Sequence, residues 1–167
     1  MSFLKISLLF IILSFNLYGK DNRINNLINV NEVYFLPKEA DKTKDNILSL
    51  IKNSKKSISI AMYNFSYKKF AKQLVDSSNN GVDIKIILDK SKVKKDDELY
   101  KYLKKNEINV KIADKKLHTK VAIFDEKIAV LGSINWTKKS FKDNYEVVLF
   151  TRDKKIIDKM LNFINEF

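Results

Sequence analysis

The sequence predicts a single α/β domain, built as a mixed, largely parallel β-sheet sandwiched between α-helices. Short β-branched runs alternate with amphipathic helical patterns along most of the chain, as expected when helices connect parallel strands. One pair of runs is joined only by residues 125–127, which predicts an antiparallel hairpin within the sheet. A chain of 167 residues with 45% hydrophobic content can form one domain core and is too short for two.

The first nineteen residues have the pattern of a secretory signal peptide. Lys5 is their only charge, an apolar run follows at 6–15, and Gly19 is a small residue that could precede a cleavage site. Because the run is shorter than the roughly 20 residues needed to cross a bilayer, we expect cleavage and export, to the periplasm or out of the cell. An uncleaved segment would instead associate the protein with a membrane. Residues 20–32 form a polar leader, and the folded domain is expected at 33–167.

Seven short segments have the β-branched composition of strands. They are residues 33–36, 57–63, 82–88, 108–112, 120–125, 128–131 and 146–150. Three amphipathic patterns between them predict helices, with apolar faces formed by Ile47, Leu50 and Ile51, by Phe70, Ala71, Leu74 and Val75, and by Leu99, Tyr102 and Leu103. Thr43 is expected to cap the first helix and Gly81 to end the second.

The C-terminal segment also predicts an amphipathic helix. Its apolar residues at helical spacing are Ile156, Ile157, Met160, Leu161, Ile164 and Phe167. The lysine-rich opposite face is also compatible with a helix lying on a membrane surface. Because both faces of a parallel sheet must be covered, we expect this helix to pack on the sheet.

The chain is strongly basic, with 32 Lys+Arg against 20 Asp+Glu and a formal charge of +12. Loss of the signal peptide would leave +11, because Lys5 is its only charged residue. A basic surface favours a polyanionic partner such as nucleic acid or an acidic membrane surface. Nearly all of the cations are lysine, as a compositional bias would also produce. The chain has no cysteine, which excludes disulfides and thiolate metal sites.

The only histidine opens a string of polar residues at regular spacing. We call this string the His118 signature, and its members are His118, Lys120, Asp125, Gly132, Ser133 and Asn135. Side chains two residues apart on a strand project to the same face, about 7 Å apart at their roots. One phosphate therefore fits between His118 and Lys120.

These residue types suit cleavage of a phosphodiester, which needs a nucleophile, groups that neutralise the equatorial oxygens and an acid for the departing oxygen. A neutral His118 imidazole can attack phosphorus while Lys120 and Asn135 hold the oxygens. Glu146, at the start of the next strand, is the expected acceptor that fixes the imidazole.

Two positions of the signature are interpreted as structural. A missing Cβ at Gly132 would let the backbone and the Ser133 hydroxyl approach a phosphate closely. Asp125 is an odd number of residues from His118 and faces away from the pocket on a regular strand. We therefore assign Asp125 to pairing with a lysine or capping backbone amides in the hairpin.

From residue 33 to the C-terminus the chain resembles the small single-motif bacterial endonucleases of the phospholipase D superfamily. The resemblance rests on the His118 signature followed by Trp136 and on residues 59–65 and 81–86. It implies a phospholipase D-like fold and a metal-independent nuclease that works through a covalent phosphohistidine. DNA is the expected substrate, with RNA left open, and cleavage without sequence preference is expected because phosphate contacts do not read bases. The resemblance also implies that Lys120, Ser133 and Asn135 surround the phosphate and that Glu146 is hydrogen-bonded to His118.

The single histidine also predicts an assembly. Larger relatives carry the signature twice in one chain, whereas this chain has no second histidine to protonate the leaving oxygen. The general acid should then be His118 of another copy. We expect a two-fold symmetric homodimer with one shared active site.

Other functions stay open at this stage. A zinc site needs several His or Cys ligands, so no metal and no cofactor is expected. The signature addresses only the phosphate, so a phospholipase D or cardiolipin-type hydrolase is the first alternative. An exported, non-catalytic nucleic-acid-binding protein is the second.

Three aromatic residues could stack on the bases of a nucleic acid and could equally belong to the core. They are Tyr63, Phe65 and Trp136.

Overall fold

A computed structural model describes residues 31–93 and 97–167. The strands are β1 (Glu32–Leu36), β2 (Ser57–Met62), β3 (Asp83–Asp89), β4 (Asn109–Ala113), β5 (Lys120–Phe124), β6 (Ile128–Gly132) and β7 (Glu146–Thr151). The helices are α1 (Ala40–Asn53), α2 (Lys68–Asn79), α3 (Glu98–Lys105), α4 (Lys138–Lys142) and α5 (Lys154–Asn165). The strands form one sheet in the order β1-β7-β6-β5-β2-β3-β4.

All seven predicted strands are confirmed, with each boundary within one residue of its expected position. The hairpin between β5 and β6 is confirmed as well. Helix α4 has no counterpart in the sequence prediction, because five residues are too few to establish an apolar period. Its N-terminus is capped by Thr137, whose hydroxyl accepts the N–H of Ser140 at 3.1 Å.

The predicted mixed sheet is confirmed, but the expectation that it is largely parallel is wrong. Only β2–β3 and β3–β4 are parallel pairs. The pairs β1–β7, β7–β6, β6–β5 and β5–β2 are antiparallel. The reason is that parallel neighbours need a long crossover connection, and here such helical crossovers join neighbouring strands only between β2, β3 and β4.

Helices cover both faces of the sheet, as predicted. Residues of β2 to β6 contribute to a first core, packed by α1 to α4, and to a second core, packed by α5, whereas β1 and β7 contribute to the first core alone. In β2, for example, Ile60 lies in the first core and Ala61 in the second. Ile157 and Ile164 of α5 are buried in the second core. The C-terminal helix therefore packs on the sheet rather than presenting this face to a membrane.

The structure confirms one of the two predicted helix ends and contradicts the other. Helix α2 ends as expected, with Gly81 at φ +86° and with the N–H groups of Gly81 and Val82 bonded to the carbonyls of Ser78 and Ser77. The prediction that Thr43 caps α1 is wrong. Helix α1 begins at Ala40, directly after a tight turn that follows β1, so Thr43 is inside the helix and its hydroxyl donates to the Glu39 carbonyl at 2.8 Å.

The predicted signal peptide and residues 20–30 of the leader lie outside the described residues, so both stay predictions. Across residues 31–93 and 97–167, none of the helices combines the length and the apolar character that spanning a bilayer requires.

Candidate active site

The polar residues of the His118 signature, apart from Asp125, meet at one end of the sheet. Strands β5 and β7 begin there, while β2 and β6 end there. The antiparallel register places Lys120 opposite Met62 on one side of β5, and Gly132 of β6 opposite Val148 of β7. Strands β2, β5, β6 and β7 therefore contribute to one polar surface.

His118 lies in the segment that precedes β5 and exposes its imidazole to solvent. The residues on either side of it are anchored. Leu117 is buried in the second core, and its N–H donates to Asp89 Oδ2 at 2.6 Å. The Thr119 carbonyl accepts the N–H of Tyr63 at 2.8 Å. The imidazole packs edge to face against Tyr63, with ring centroids 4.6 Å apart.

Lys120 is the buried cation of the site, with only 8% of its surface exposed. Its Nζ donates to the carbonyl of His118 at 2.9 Å and lies 5.0 Å from the centroid of the Tyr63 ring. Burial lowers the pKa of Lys120, and the charges of Glu146 and Tyr63 partly offset this effect. The site therefore holds an ammonium group that is poorly hydrated and can gain from an incoming anion.

Glu146 is held by its own chain in a way that sequence reasoning did not foresee. The Ser133 hydroxyl donates to one carboxylate oxygen of Glu146, and Asn144 Nδ2 donates to the other at 2.9 Å. The same Ser133 hydroxyl accepts the N–H of Val147 at 3.1 Å. The structure thus brings Glu146 to Ser133 and Asn144, and not into a hydrogen bond with the imidazole of His118.

Asn135 and Gly132 complete the surface. Asn135 Oδ1 accepts the N–H of Asn64 at 3.2 Å, which orients the amide and leaves its NH₂ group as the donor for an oxyanion. Gly132 has φ +158°, and a Cβ there would lie 2.0 Å from the carbonyl oxygen of Val147. The glycine is thus required by the close approach of the β7 backbone, a different reason from the phosphate contact that we expected.

Asp125 lies at the opposite end of β5. Its carboxylate accepts the backbone N–H groups of Lys55 at 2.9 Å, Lys56 at 2.7 Å and Ser57 at 3.1 Å. These amides belong to the start of β2 and the turn before it, not to the hairpin itself.

Three further residues lie beside the site, and of these only Tyr63 was named in the sequence analysis, as a residue that could stack on bases. They are Tyr63, Asp89 and Lys92, and the Nζ of Lys92 lies 4.8 Å from the centroid of the Tyr63 ring. Tyr63 directly follows β2 and Asp89 ends β3, so the order of strands could have identified them, whereas spacing along the chain could not. Phe65 and Trp136 pack edge to face in the first core, with ring centroids 5.2 Å apart. Of the three aromatic residues considered for stacking on bases, only Tyr63 is therefore at the site.

Known proteins that resemble this chain in sequence and structure agree with the site geometry. Residues 47–167 match the model of the family described as cardiolipin synthase, PLD-like domain. Among solved structures, NucT from Helicobacter pylori is 30% identical with a TM-score of 0.74, and the match covers 81% of this chain and 93% of that one. Nuc from Salmonella typhimurium, a phospholipase D family member, is 26% identical with a TM-score of 0.72, over 81% of this chain and 91% of that one.

Curated relatives are longer than this chain. A phospholipase D of Rickettsia bellii is 33% identical over 118 residues, which are 69% of this chain and 58% of the relative. A mitochondrial cardiolipin hydrolase of Xenopus tropicalis is 24% identical over 120 residues, which are 71% of this chain and 57% of the relative. The chain therefore spans somewhat more than half the length of these relatives.

Proposed function

The chain belongs to the phospholipase D superfamily, and from this premise we propose that it is a metal-independent phosphodiesterase that cuts nucleic acid without sequence preference. The observation that carries the proposal is the pairing of an exposed imidazole, His118, with a buried ammonium group, Lys120, at one end of the sheet. A nucleophile open to solvent beside a cation that lacks full hydration is suited to attack on a bound phosphate.

In the proposed reaction, a ring nitrogen of His118 forms a bond to phosphorus while the bond between phosphorus and the leaving oxygen breaks. Lys120 and the NH₂ group of Asn135 stabilise the charge on the equatorial oxygens, with the Ser133 hydroxyl beside them. The leaving oxygen takes a proton and departs as an alcohol. Water then attacks the phosphohistidine, loses a proton and releases a phosphomonoester together with the free imidazole.

We assign the acid in this reaction to His118 of a second copy, because the chain has no other histidine. Within the described residues of the single chain, Glu146 bonds to Ser133 and Asn144 and makes no hydrogen bond to the His118 imidazole. A two-fold dimer with both signatures across one pocket supplies the missing acid. The two imidazoles must begin in different protonation states. The rate should therefore show a bell-shaped dependence on pH, with two apparent pKa values that belong to the pair and not to either imidazole alone.

Nucleic acid is the preferred substrate for two reasons. The net charge of +12 favours a polyanion. The chain also covers more than nine tenths of Nuc and NucT but only 58% of the Rickettsia bellii phospholipase D. The names of the curated relatives favour a second candidate, a phospholipase D or cardiolipin hydrolase.

The test is to incubate the purified protein with plasmid, single-stranded DNA, RNA and phospholipid vesicles, all in excess EDTA, with His118→Ala as the matched control. We expect nucleic acid to be shortened by the unsubstituted protein alone. Hydrolysis of a phospholipid headgroup without DNA cleavage would establish the second candidate. A gel shift without shortening, unchanged by His118→Ala, would instead identify a binding protein, and loss of cleavage in EDTA would reject the metal-independent reaction.

The shared site has a separate test. Unsubstituted and His118→Ala chains are mixed and the heterodimers are isolated through two different affinity tags. We expect heterodimers to be inactive, because each reaction needs both imidazoles. Heterodimers with full activity per intact subunit would reject the shared site.

We also propose that the protein acts outside the cytoplasm, on the pattern of residues 1–19. The check is N-terminal sequencing of the protein from the periplasm and the medium of expressing cells. The expected product begins at Lys20.

A further inference from the structure

The ring of Tyr63 lies next to two ammonium groups. The Nζ of Lys120 is 5.0 Å from the ring centroid and the Nζ of Lys92 is 4.8 Å from it. The two nitrogens are therefore at most about 10 Å apart, a distance that a few nucleotide steps of about 3.4 Å rise can span. Since Lys120 belongs to the His118 signature, Lys92 is a second cation that lies near it and outside the signature.

A single buried carboxylate fixes the relative position of these groups. Asp89, at the end of β3, is only 1% exposed. Its Oδ1 accepts the N–H of Ser91 at 2.8 Å, within the 3₁₀ turn Lys90–Lys92, and its Oδ2 accepts the N–H of Leu117 at 2.6 Å. The turn that carries Lys92 and the segment that carries His118 are therefore joined through one side chain.

The electrostatics agree with this arrangement. The pKa of Tyr63 is lowered, chiefly by the interaction of its hydroxyl with Lys92, and Lys116 contributes in the same direction. Burial by itself would raise the pKa of Asp89, but the hydrogen bonds from Ser91 and Leu117 and the charge of Lys116 lower it overall. Positive potential therefore extends from the signature toward Lys92 and Lys116.

We propose that Lys92, supported by the Tyr63 ring, forms a second phosphate subsite, which binds a phosphate of the same nucleic-acid strand near the one being cut. This inference rests on the proposed function and narrows its substrate to a strand that carries a second phosphate near the one being cut. A substrate with one isolated phosphodiester has no group to place there. The subsite thus distinguishes a polynucleotide from a small diester by affinity, while Lys120 and Asn135 serve both.

The first measurement is binding, made in an inactive His118→Ala background so that turnover plays no part. The dissociation constant of a short single-stranded oligonucleotide is measured over a range of salt concentrations with and without Lys92→Ala. We expect Lys92→Ala to weaken binding about 10-fold and to reduce the salt slope by about 0.7, as for one lost phosphate contact on a single strand. Lys127→Ala removes the same charge at the opposite end of β5 and is the matched control, expected to change the slope much less.

The second measurement is cleavage by protein that retains His118, with the oligonucleotide and bis(p-nitrophenyl) phosphate compared as substrates. We expect Lys92→Ala to lower kcat/KM about 10-fold for the oligonucleotide and less than about 2-fold for the small diester. Equal losses on both substrates, no loss on either, or the same result from Lys127→Ala would overturn the subsite. His118-dependent cleavage would then still uphold the proposed function. A Lys92-dependent salt slope in a protein that cuts neither substrate would uphold the subsite and reject the proposed function.

Discussion

The two ends of strand β5 carry residues of the same signature in opposite polar environments. At the N-terminal end, His118 is exposed and Lys120 is buried with a lowered pKa. At the C-terminal end, the carboxylate of Asp125 accepts four hydrogen bonds from three backbone N–H groups. Fixed spacing in a sequence therefore does not separate catalysis from stability, whereas the partners of each polar group do.

A buried or half-buried polar group contributes to stability when its partners come from the protein, and it is costly when they do not. Asp125 is of the first kind. Lys120 is closer to the second kind, since among the described residues its ammonium group donates only to the His118 carbonyl. We therefore expect substitutions at the two ends of β5 to change different measurements.

The largest effect is expected for His118→Ala. If His118 is the proposed nucleophile and acts as a unit with its acid, its removal should lower kcat by at least about 10⁴-fold. Because the imidazole is exposed, the urea midpoint of unfolding should change little. Cleavage assays and urea titrations of the same preparation test both statements. A large loss of stability would show that this end of β5 also holds the fold together.

Lys120→Met should lower kcat about 10²- to 10³-fold, because it removes one of the groups proposed to stabilise the charge on phosphate. It should also raise the free energy of unfolding by about 1 kcal/mol. Since burial lowers the pKa of Lys120 in the folded state, its charged form opposes folding at neutral pH. That penalty disappears as the pH rises through the lowered pKa toward the ordinary value near 10.4.

Urea unfolding of Lys120→Met at pH 7 and pH 10 is the measurement, with Lys127→Met as an exposed control. The gain in stability over the unsubstituted protein should shrink at the higher pH. A destabilised Lys120→Met at pH 7 would mean that the bond from Nζ to the His118 carbonyl outweighs the cost of burial.

Asp125→Ala should lower the free energy of unfolding by about 2 kcal/mol, because three backbone N–H groups lose their acceptor. Activity per folded molecule should stay within about 2-fold, since the residue lies at the far end of β5. Asp125 also has φ +52°, a conformation that alanine adopts with strain. Glu126→Ala, in the same turn at φ +56°, is the control for that strain. Equal destabilisation by the two variants would show that backbone strain, and not the lost hydrogen bonds, explains the loss of stability.

The smallest effect, about 10-fold on kcat, is expected for Asp89→Asn with bis(p-nitrophenyl) phosphate as the substrate. The carboxylate accepts the N–H groups of Ser91 and Leu117 on different oxygens, and in asparagine one of these positions becomes an NH₂ donor. The segment before His118 should therefore shift, while KM for a small diester hardly changes. Ser91→Ala, which keeps the Leu117 bond, should be close to the unsubstituted protein. A purely structural role would leave kcat per folded molecule unchanged.

The lowered pKa of Asp89 adds a dependence on pH. A carboxyl group whose pKa is lower in the folded state stabilises the fold above its unfolded value near 3.9, and this contribution is lost as the pH falls through the lower folded value. The difference in stability between the unsubstituted protein and Asp89→Asn should therefore be full at neutral pH and should vanish in strong acid. Asp89, like Asp125, is a carboxylate that accepts backbone N–H groups. The end of β5 near His118 therefore also has one polar group that contributes to stability.

Much of the fold could be predicted because the signals are local. Each strand is a short β-branched run, and Gly81 ends α2 because it adopts a positive φ at low cost. The parallel character of the sheet was overestimated because alternating strand and helix patterns do not say which strands become neighbours. Helix α4 was missed because its five residues contain no apolar period.

The site was predictable only in part for the same reason. The spacing of His118, Lys120 and Asn135 marks them as a group, and the structure does bring them to one end of the sheet. The bond from Glu146 to His118 that the family resemblance implied is absent in the described single chain, where Ser133 and Asn144 occupy that carboxylate. Which partner a side chain meets depends on packing between strands.

By itself, the sequence determined the local elements, the positive charge, the single histidine and the spacing of the signature, because each depends on residues close together in the chain. Only the tertiary structure decided the order of the strands and the partner of each polar group. Asp125 bonds to Lys55 across 70 residues, and Asp89 bonds to Leu117 across 28. Contacts over such separations depend on how the sheet is assembled, and no local periodicity encodes them.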